Sequence, residues 1–205
     1  MAPYLLYYWA KRGRGEQIRL LLNELDQPYE DVHVAGASFG ELRARRPRAL
    51  WFGTVPMLEQ GDVRLCQAPV ILSYLARKHG IAPTRLEEAA RADAIAWGAE
   101  DLRIEYFDVW RDDTAARQAK LVAGHWSERY LPGFDDLLEQ NGTGFFVGDG
   151  LTHADIAVWD ILDSMISWVA GATLEGWPRV AAFHAAIKER PRIAAYLASD
   201  RRAKG

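Results

Sequence analysis

The apolar positions of this chain change their period near residue 80. Before that point, short apolar runs flank a single helical stripe. Tyr4-Leu5-Leu6-Tyr7-Tyr8 is an aromatic and aliphatic run of strand length and reads as a buried strand. Lys11-Arg12-Gly13-Arg14-Gly15 is a turn. Beyond it Ile18, Leu21, Leu22 and Leu25 recur at three- and four-residue spacing, which predicts an amphipathic helix from Glu16 to Leu25. Gln27-Pro28 stops that helix, and Tyr29 to Val34 is a second strand candidate. An Arg-rich connecting stretch follows. Val55-Pro56-Met57-Leu58-Glu59 and Val63-Arg64-Leu65-Cys66 then flank Gln60-Gly61-Asp62, a hairpin signal. Pro69 opens a helix through Val70, Ile71, Tyr74 and Leu75, since proline is tolerated in a first helical turn. The predicted order is βαβ, a connection, then ββα.

Gly80-Ile81-Ala82-Pro83-Thr84 interrupts the chain, and strand patterns end there. Helical segments are predicted from Leu86 to Asp112, Ala115 to Gln140, Thr152 to Val169, Pro178 to Glu189 and Pro191 to Ala198, with a clear break at Asn141-Gly142-Thr143-Gly144. Trp97, Trp126, Trp159 and Trp168 fall within these helices and are expected in the core. The pattern implies two domains: an α/β domain over 1–80 and an all-α domain over 87–205.

Composition narrows the class. The chain has 205 residues, 49% hydrophobic and 26% charged, which is ordinary for a folded globular protein. A net charge of -3 without a recurring basic stripe gives no expectation of nucleic acid. The tail Arg201-Arg202-Ala203-Lys204 is expected to be a solvated terminus. With one cysteine there is no internal disulfide framework, and Cys66 is expected to be a buried apolar filler. The first residues do not read as a signal peptide, and no apolar run approaches the ~20 residues of a membrane span. A cytoplasmic location is the expectation. The five His residues show no metal-ligand spacing, so no metal is expected.

The start of the third long helix carries a specific motif. Thr152 can cap it, Asp155 can return a bond to the Thr152 backbone N–H, and Leu151 and Ile156 can form a hydrophobic staple. The phrase around it, Phe146-Val147-Gly148-Asp149 with Thr152, Ala154 and Asp155, resembles the buried helix of glutathione transferases. Tyr8-Trp9-Ala10-Lys11-Arg12-Gly13-Arg14-Gly15-Glu16 is similar, residue for residue in spacing, to the Tyr-Phe-x-x-Arg-Gly-Arg-Ala-Glu segment of the alpha, pi and sigma classes. Val55-Pro56 resembles the family's Val/Leu-cis-Pro, and Gln67 stands where the family has Gln-Ser. The resemblance runs from Tyr4 to about Leu197. It implies a thioredoxin-like domain followed by an all-α domain, a glutathione co-substrate, a homodimer and transfer of glutathione to a small apolar electrophile.

The chemistry implied by the resemblance can be assigned to residues. Free glutathione has a thiol pKa of roughly 8.5, so little thiolate, the nucleophile, exists at neutral pH. A hydrogen bond donated to sulfur favours the charged form, and Tyr8 is the expected catalytic donor. Val55 and a cis Pro56, with Thr54 before them, would pair with the cysteine backbone of the tripeptide. Gln67 and Ala68 would bind its γ-glutamyl carboxylate through backbone N–H groups at the following helix. Arg14 would face that end or the electrophile pocket. Arg45, Arg46 or Arg48 would hold the glycyl carboxylate, because Glu41 and Pro47 stand where the family often has Trp and Lys. Trp51 lies beside them, with Phe52. Asp101 would reach the glutathione amine across a dimer. Trp9, Arg14, Phe107, Trp110 and Arg111 would form the electrophile pocket.

Ala68 departs from the family's Ser and removes a hydroxyl contact to the carboxylate. It leaves a second reading, a non-catalytic ligand-binding or structural protein of the same fold. A thioredoxin-type oxidoreductase would require a cysteine in the turn after the first strand, and none is there.

Overall fold

The computed structural model describes residues 2–45, 50–111 and 114–204. The elements are β1 (Tyr4–Tyr8), α1 (Gly13–Glu24), β2 (Tyr29–His33), α2 (Gly36–Ala44), β3 (Met57–Gln60), β4 (Val63–Cys66), α3 (Ala68–Lys78), α4 (Leu86–Arg111), α5 (Ala115–Leu121), α6 (Leu131–Asn141), α7 (His153–Trp168), α8 (Pro178–Lys188) and α9 (Pro191–Leu197). They fall into two compact units. One comprises the residues up to His79 together with the stretch from Pro191 onward; the other is Gly80–Arg190. The sequence pattern predicts an all-α domain over 87–205, whereas α9 groups with the sheet.

In the first unit the strands order β2-β1-β3-β4. β1 is central, parallel to β2 and antiparallel to β3, with Leu6 opposite Leu58. Side chains alternate across a strand, so Tyr4, Leu6 and Tyr8 share one face and Leu5 and Tyr7 the other. Leu6 is fully buried, as are Ile18, Leu21 and Leu22 of α1 and Ile71, Leu72 and Leu75 of α3. Tyr7 packs with Val34, Leu42, Leu50, Met57 and Cys66 on the opposite side. Cys66 is buried as expected, and burial pushes its thiol pKa up, against a hydrogen bond from the Trp51 backbone. The alternation therefore decides which tyrosine joins the α1 side and which is committed to the other core.

α2 falls in the connecting stretch, where the sequence pattern predicts no helix. It buries Leu42 alone and is rich in small residues, so no apolar stripe marks it. Its start is instead held by Ser38, whose hydroxyl donates to the Ala35 carbonyl and accepts from the Ala35 N–H.

The second unit is helical. The predicted helix over 115–140 is α5, a π-helical stretch Val122–Tyr130, and α6. Pro132 lacks an N–H and cannot continue the i→i−4 ladder at the junction. α7 is buried along most of its length, and the Thr152–Asp155 capping box forms as read from the sequence. The Trp159 ring N–H donates to the His184 carbonyl at 2.9 Å, and its ring stacks on the His184 imidazole. Arg103 of α4 and Asp160 of α7 form a buried ion pair at 2.8 Å, with Glu100 3.4 Å from the same guanidinium. Trp126 and Trp159 are core residues, but Trp97 and Trp168 are 48% and 49% exposed, against expectation. Helical periodicity does not say which face of a long helix is covered. Among the described residues no helix is long and apolar enough to cross a membrane.

Candidate active site

Tyr8 ends β1, and the turn after it brings the N-terminus of α1 back over its ring. The Arg14 backbone N–H donates to the Tyr8 hydroxyl at 2.9 Å. Arg14 lies in the first turn of α1, where N–H groups have no partner within the helix. The phenol oxygen thus meets the positive end of a helix. This close approach depends on glycine. A Cβ on Gly13, at φ +41, would lie 2.6 Å from the Tyr8 hydroxyl, and one on Gly15 would lie 2.5 Å from Cδ1 of the ring. Gly15 stands where the resembled segment has Ala. Tyr7, one residue earlier, points to the other side. Burial raises the pKa of its hydroxyl, against a hydrogen bond from Arg45.

Arg45, read as a possible carboxylate ligand, therefore has contact with Tyr7. Arg46 and Arg48 lie outside the described residues. A basic residue missed in the sequence is nearby: the Arg43 guanidinium lies beside Gly53, the residue before Thr54. It also sits over the Phe39 ring, 5.6 Å from its centre. Phe39 and Arg43 are four apart on α2 and share a face, so recognising that helix would have paired them. Trp9 packs its ring against Phe39, centroids 4.7 Å apart, and Trp51 and Phe52 are exposed.

The Val55–Pro56 peptide is cis, as the resemblance implied. Thr54 is exposed and Val55 half-buried just ahead of β3. Gln67, exposed between β4 and α3, has φ +73 and ψ 114, a conformation that non-glycine residues rarely adopt. Its carbonyl accepts the Ile71 N–H, starting α3, and Ala68 is buried. The unusual backbone turns the chain from strand into helix within one residue and directs the α3 N-terminus toward this edge.

In the second unit Asp101 is exposed on α4, with exposed Trp97 four residues before and exposed Ile104 three residues after it. These three share a helix face. Phe107 is half-buried and packs on Tyr106, Trp110 is half-exposed, and Arg111 pairs with Asp108 at 3.2 Å. Asp93 lies on the same helix, α4. It lies 3.0 Å from Nε2 of His153, a buried side chain at the start of α7. That contact makes Asp93 part of its own unit's packing. Among the described residues, no group of three His, Cys, Asp or Glu side chains is placed to hold a metal ion.

The comparisons with known proteins agree along nearly the whole length. A family model for the glutathione S-transferase N-terminal domain matches residues 5–77, and one for the C-terminal domain matches 100–200. Glutathione S-transferase P of Capra hircus is 33% identical over 203 residues, covering 97% of this chain and 93% of the relative. The solved glutathione S-transferase of Ascaris lumbricoides superposes with a TM-score of 0.83 at 27% identity, covering 96% of this chain and 97% of that one. The pi-class enzyme of Onchocerca volvulus does so at 0.82 and 28%, covering 96% and 92%. With a thioredoxin-like sheet, an all-helical unit and the buried capping box between residues 146 and 155, the chain belongs to the glutathione S-transferase family and is a glutathione transferase.

Proposed function

We propose that Tyr8 activates the thiol of glutathione for attack on an apolar electrophile. The observation that carries this is the Arg14 N–H bonded to the Tyr8 oxygen. That bond fixes the phenol oxygen at the turn between β1 and α1, against a backbone donor. A phenol polarised in this way is a good donor to a thiolate and stabilises the charged form. Val55 offers its backbone to the cysteine portion of glutathione. Gln67 and Ala68 offer N–H groups at the α3 N-terminus to the γ-glutamyl carboxylate. Arg43, Arg45, Arg46 or Arg48 supplies a cation for the glycyl carboxylate, with Trp51 and Thr54 alongside. Trp9, Arg14, Phe107, Trp110 and Arg111 supply the aromatic and basic groups for the electrophile. The role is cytosolic detoxification. Initial rates with nitroaryl, enal, isothiocyanate and hydroperoxide substrates test the assignment: at least one should exceed the uncatalysed rate by orders of magnitude, and none doing so would favour a non-catalytic binding role.

Ala68 is a specific weak point of that site. A serine hydroxyl there would donate to the γ-glutamyl carboxylate, a charge-assisted bond worth roughly 1 kcal/mol or somewhat more. Ala68→Ser should therefore lower the calorimetric Kd for glutathione about fivefold, by RT ln K. Because Ala68 is buried, the same hydroxyl should slightly lower the melting temperature of the ligand-free protein. Unchanged affinity would mean that another group already satisfies this carboxylate.

The protein acts as a two-fold homodimer in this account, with Asp101 reaching glutathione held by the other copy. The exposed Trp97 and Ile104 beside Asp101 give a partner apolar surface to cover. Sedimentation at micromolar concentration should give twice the chain mass. Asp101→Lys should shift it towards monomer and weaken glutathione binding together. A monomeric wild type would remove Asp101 from the site.

A further inference from the structure

The C-terminal tail was expected to be solvated, yet Arg202 is largely buried. Its Nε donates to Oε1 of Glu16 at 3.1 Å, and the Tyr196 hydroxyl of α9 donates to Oε2 of the same carboxylate at 3.0 Å. Glu16 lies in the first turn of α1 and is 0% exposed. Arg19, also 0% exposed, lies 3.5 Å from Glu16. Arg201 sits over the Tyr29 ring at 4.6 Å, which fixes the tail at a second point.

Arg19 carries the connection to the active site. Its Nη1 donates to the Lys11 carbonyl at 2.8 Å and its Nη2 to the Trp9 carbonyl at 3.3 Å. Nε and Nη2 also form a bidentate pair with Asp31 of β2. Cζ lies 5.8 Å from the centre of the Tyr8 ring. The guanidinium thus holds the backbone on either side of Ala10, in the turn that carries the chain from Tyr8 to Arg14. Burial opposes its charge, but the bonds and charges of Asp31 and Glu16 hold its pKa above the ordinary arginine value. Burial, and then the Glu16 charge, push the Tyr196 hydroxyl pKa up, so it stays a neutral donor.

We infer that Tyr196 and Arg202 are positioning residues: through Glu16 and Arg19 they hold the Trp9–Lys11 turn, and with it the Tyr8 phenol against the Arg14 N–H. Neither touches a reacting atom. Removing either donor leaves a buried carboxylate underpaired, and Arg19, 3.5 Å from it, is the cation at hand. When Arg19 swings toward Glu16 it releases the two carbonyls of the turn. The Tyr8 hydroxyl then loses its fixed direction while the Val55 and Gln67 edges stay in place. This rests on Tyr8 being the activating residue, and the experiment separates the two claims.

Tyr196→Phe/Arg202→Ala should lower kcat on the order of tenfold, as a small misplacement of a reacting group does. KM for glutathione should stay within about twofold, because uniform binding is untouched. Hydrogen exchange at the Arg14 amide should quicken by about tenfold, reporting loss of its bond to Tyr8. Arg202→Lys, with Tyr196 kept, should recover most of the loss by keeping a cation on Glu16. Tyr8→Phe is measured beside these. If Tyr8→Phe loses turnover while the double variant keeps full kcat, the tail has no positioning role and the inference is overturned. If Tyr8→Phe keeps full turnover, the Tyr8 assignment has failed, and Arg14 exchange alone decides: faster exchange in the double variant supports the hold of the tail on the turn, and unchanged exchange overturns it.

Discussion

Tyr8→Phe should lower turnover near neutral pH by about 8- to 25-fold while leaving the fold intact. The substitution removes one oxygen. The ring stays on the α1 side of the sheet, between the backbone of Gly13 and Gly15. What is lost is a hydrogen bond to a charged sulfur, worth about 1.5–3 kcal/mol, or roughly one to two pKa units on the thiol. With the bound thiol returned toward its free value of roughly 8.5, the thiolate fraction at pH 7 falls by about 8- to 25-fold. KM for glutathione should change little, since the carboxylate and backbone contacts remain. The Arg14 N–H loses its acceptor, but it lies in a helical first turn where water can replace it. Steady-state rates with the best nitroaryl substrate decide this. Turnover within twofold of wild type would remove Tyr8 from its role.

Asp155→Ala should be the most destabilising single change considered, about 2–4 kcal/mol at neutral pH. The Asp155 carboxylate accepts from the Phe146 N–H, the Thr152 N–H and the Thr152 hydroxyl, at 2.9, 2.7 and 2.8 Å, and is fully buried. Alanine leaves two buried N–H donors without that acceptor. The effect carries a pH signature. Burial is the largest influence on Asp155 and raises its pKa from 3.8 to about 6, although the three bonds oppose the rise. A folded-state pKa above the unfolded one means that the native state binds the extra proton. That stabilisation is fully present below about pH 4 and is lost as pH rises through about 6, amounting to about 3 kcal/mol across the window. The stability gap between wild type and Asp155→Ala should therefore narrow as pH rises from 4 to 7. Urea unfolding at several pH values tests this, and a gap that widens with pH would contradict it.

Local chemistry explains which features could be read from the sequence. β1, α1, the hairpin and α7 each carry a strong periodic or capping signal, and each forms where the pattern placed it, within a few residues. The proposed role of Tyr8 comes from the likeness of residues 8–16 to the family segment, not from periodicity. What failed depends on faces and long-range partners. α2 lacks an apolar stripe, so Arg43 beside Gly53 was invisible. Trp97 and Trp168 lie on long helices whose covered side the periodicity does not name. Arg202 looked like a solvated tail because its partner, Glu16, is far away in sequence.

The central claim is that the Tyr8 hydroxyl holds the glutathione thiolate. Its most direct test is a pH titration of bound glutathione followed by the ultraviolet absorbance of the thiolate, in wild type and in Tyr8→Phe. The account predicts half-ionisation in wild type at least about one unit below the free thiol value of roughly 8.5, and a return to near that value in Tyr8→Phe. The same low titration midpoint in both proteins would contradict it.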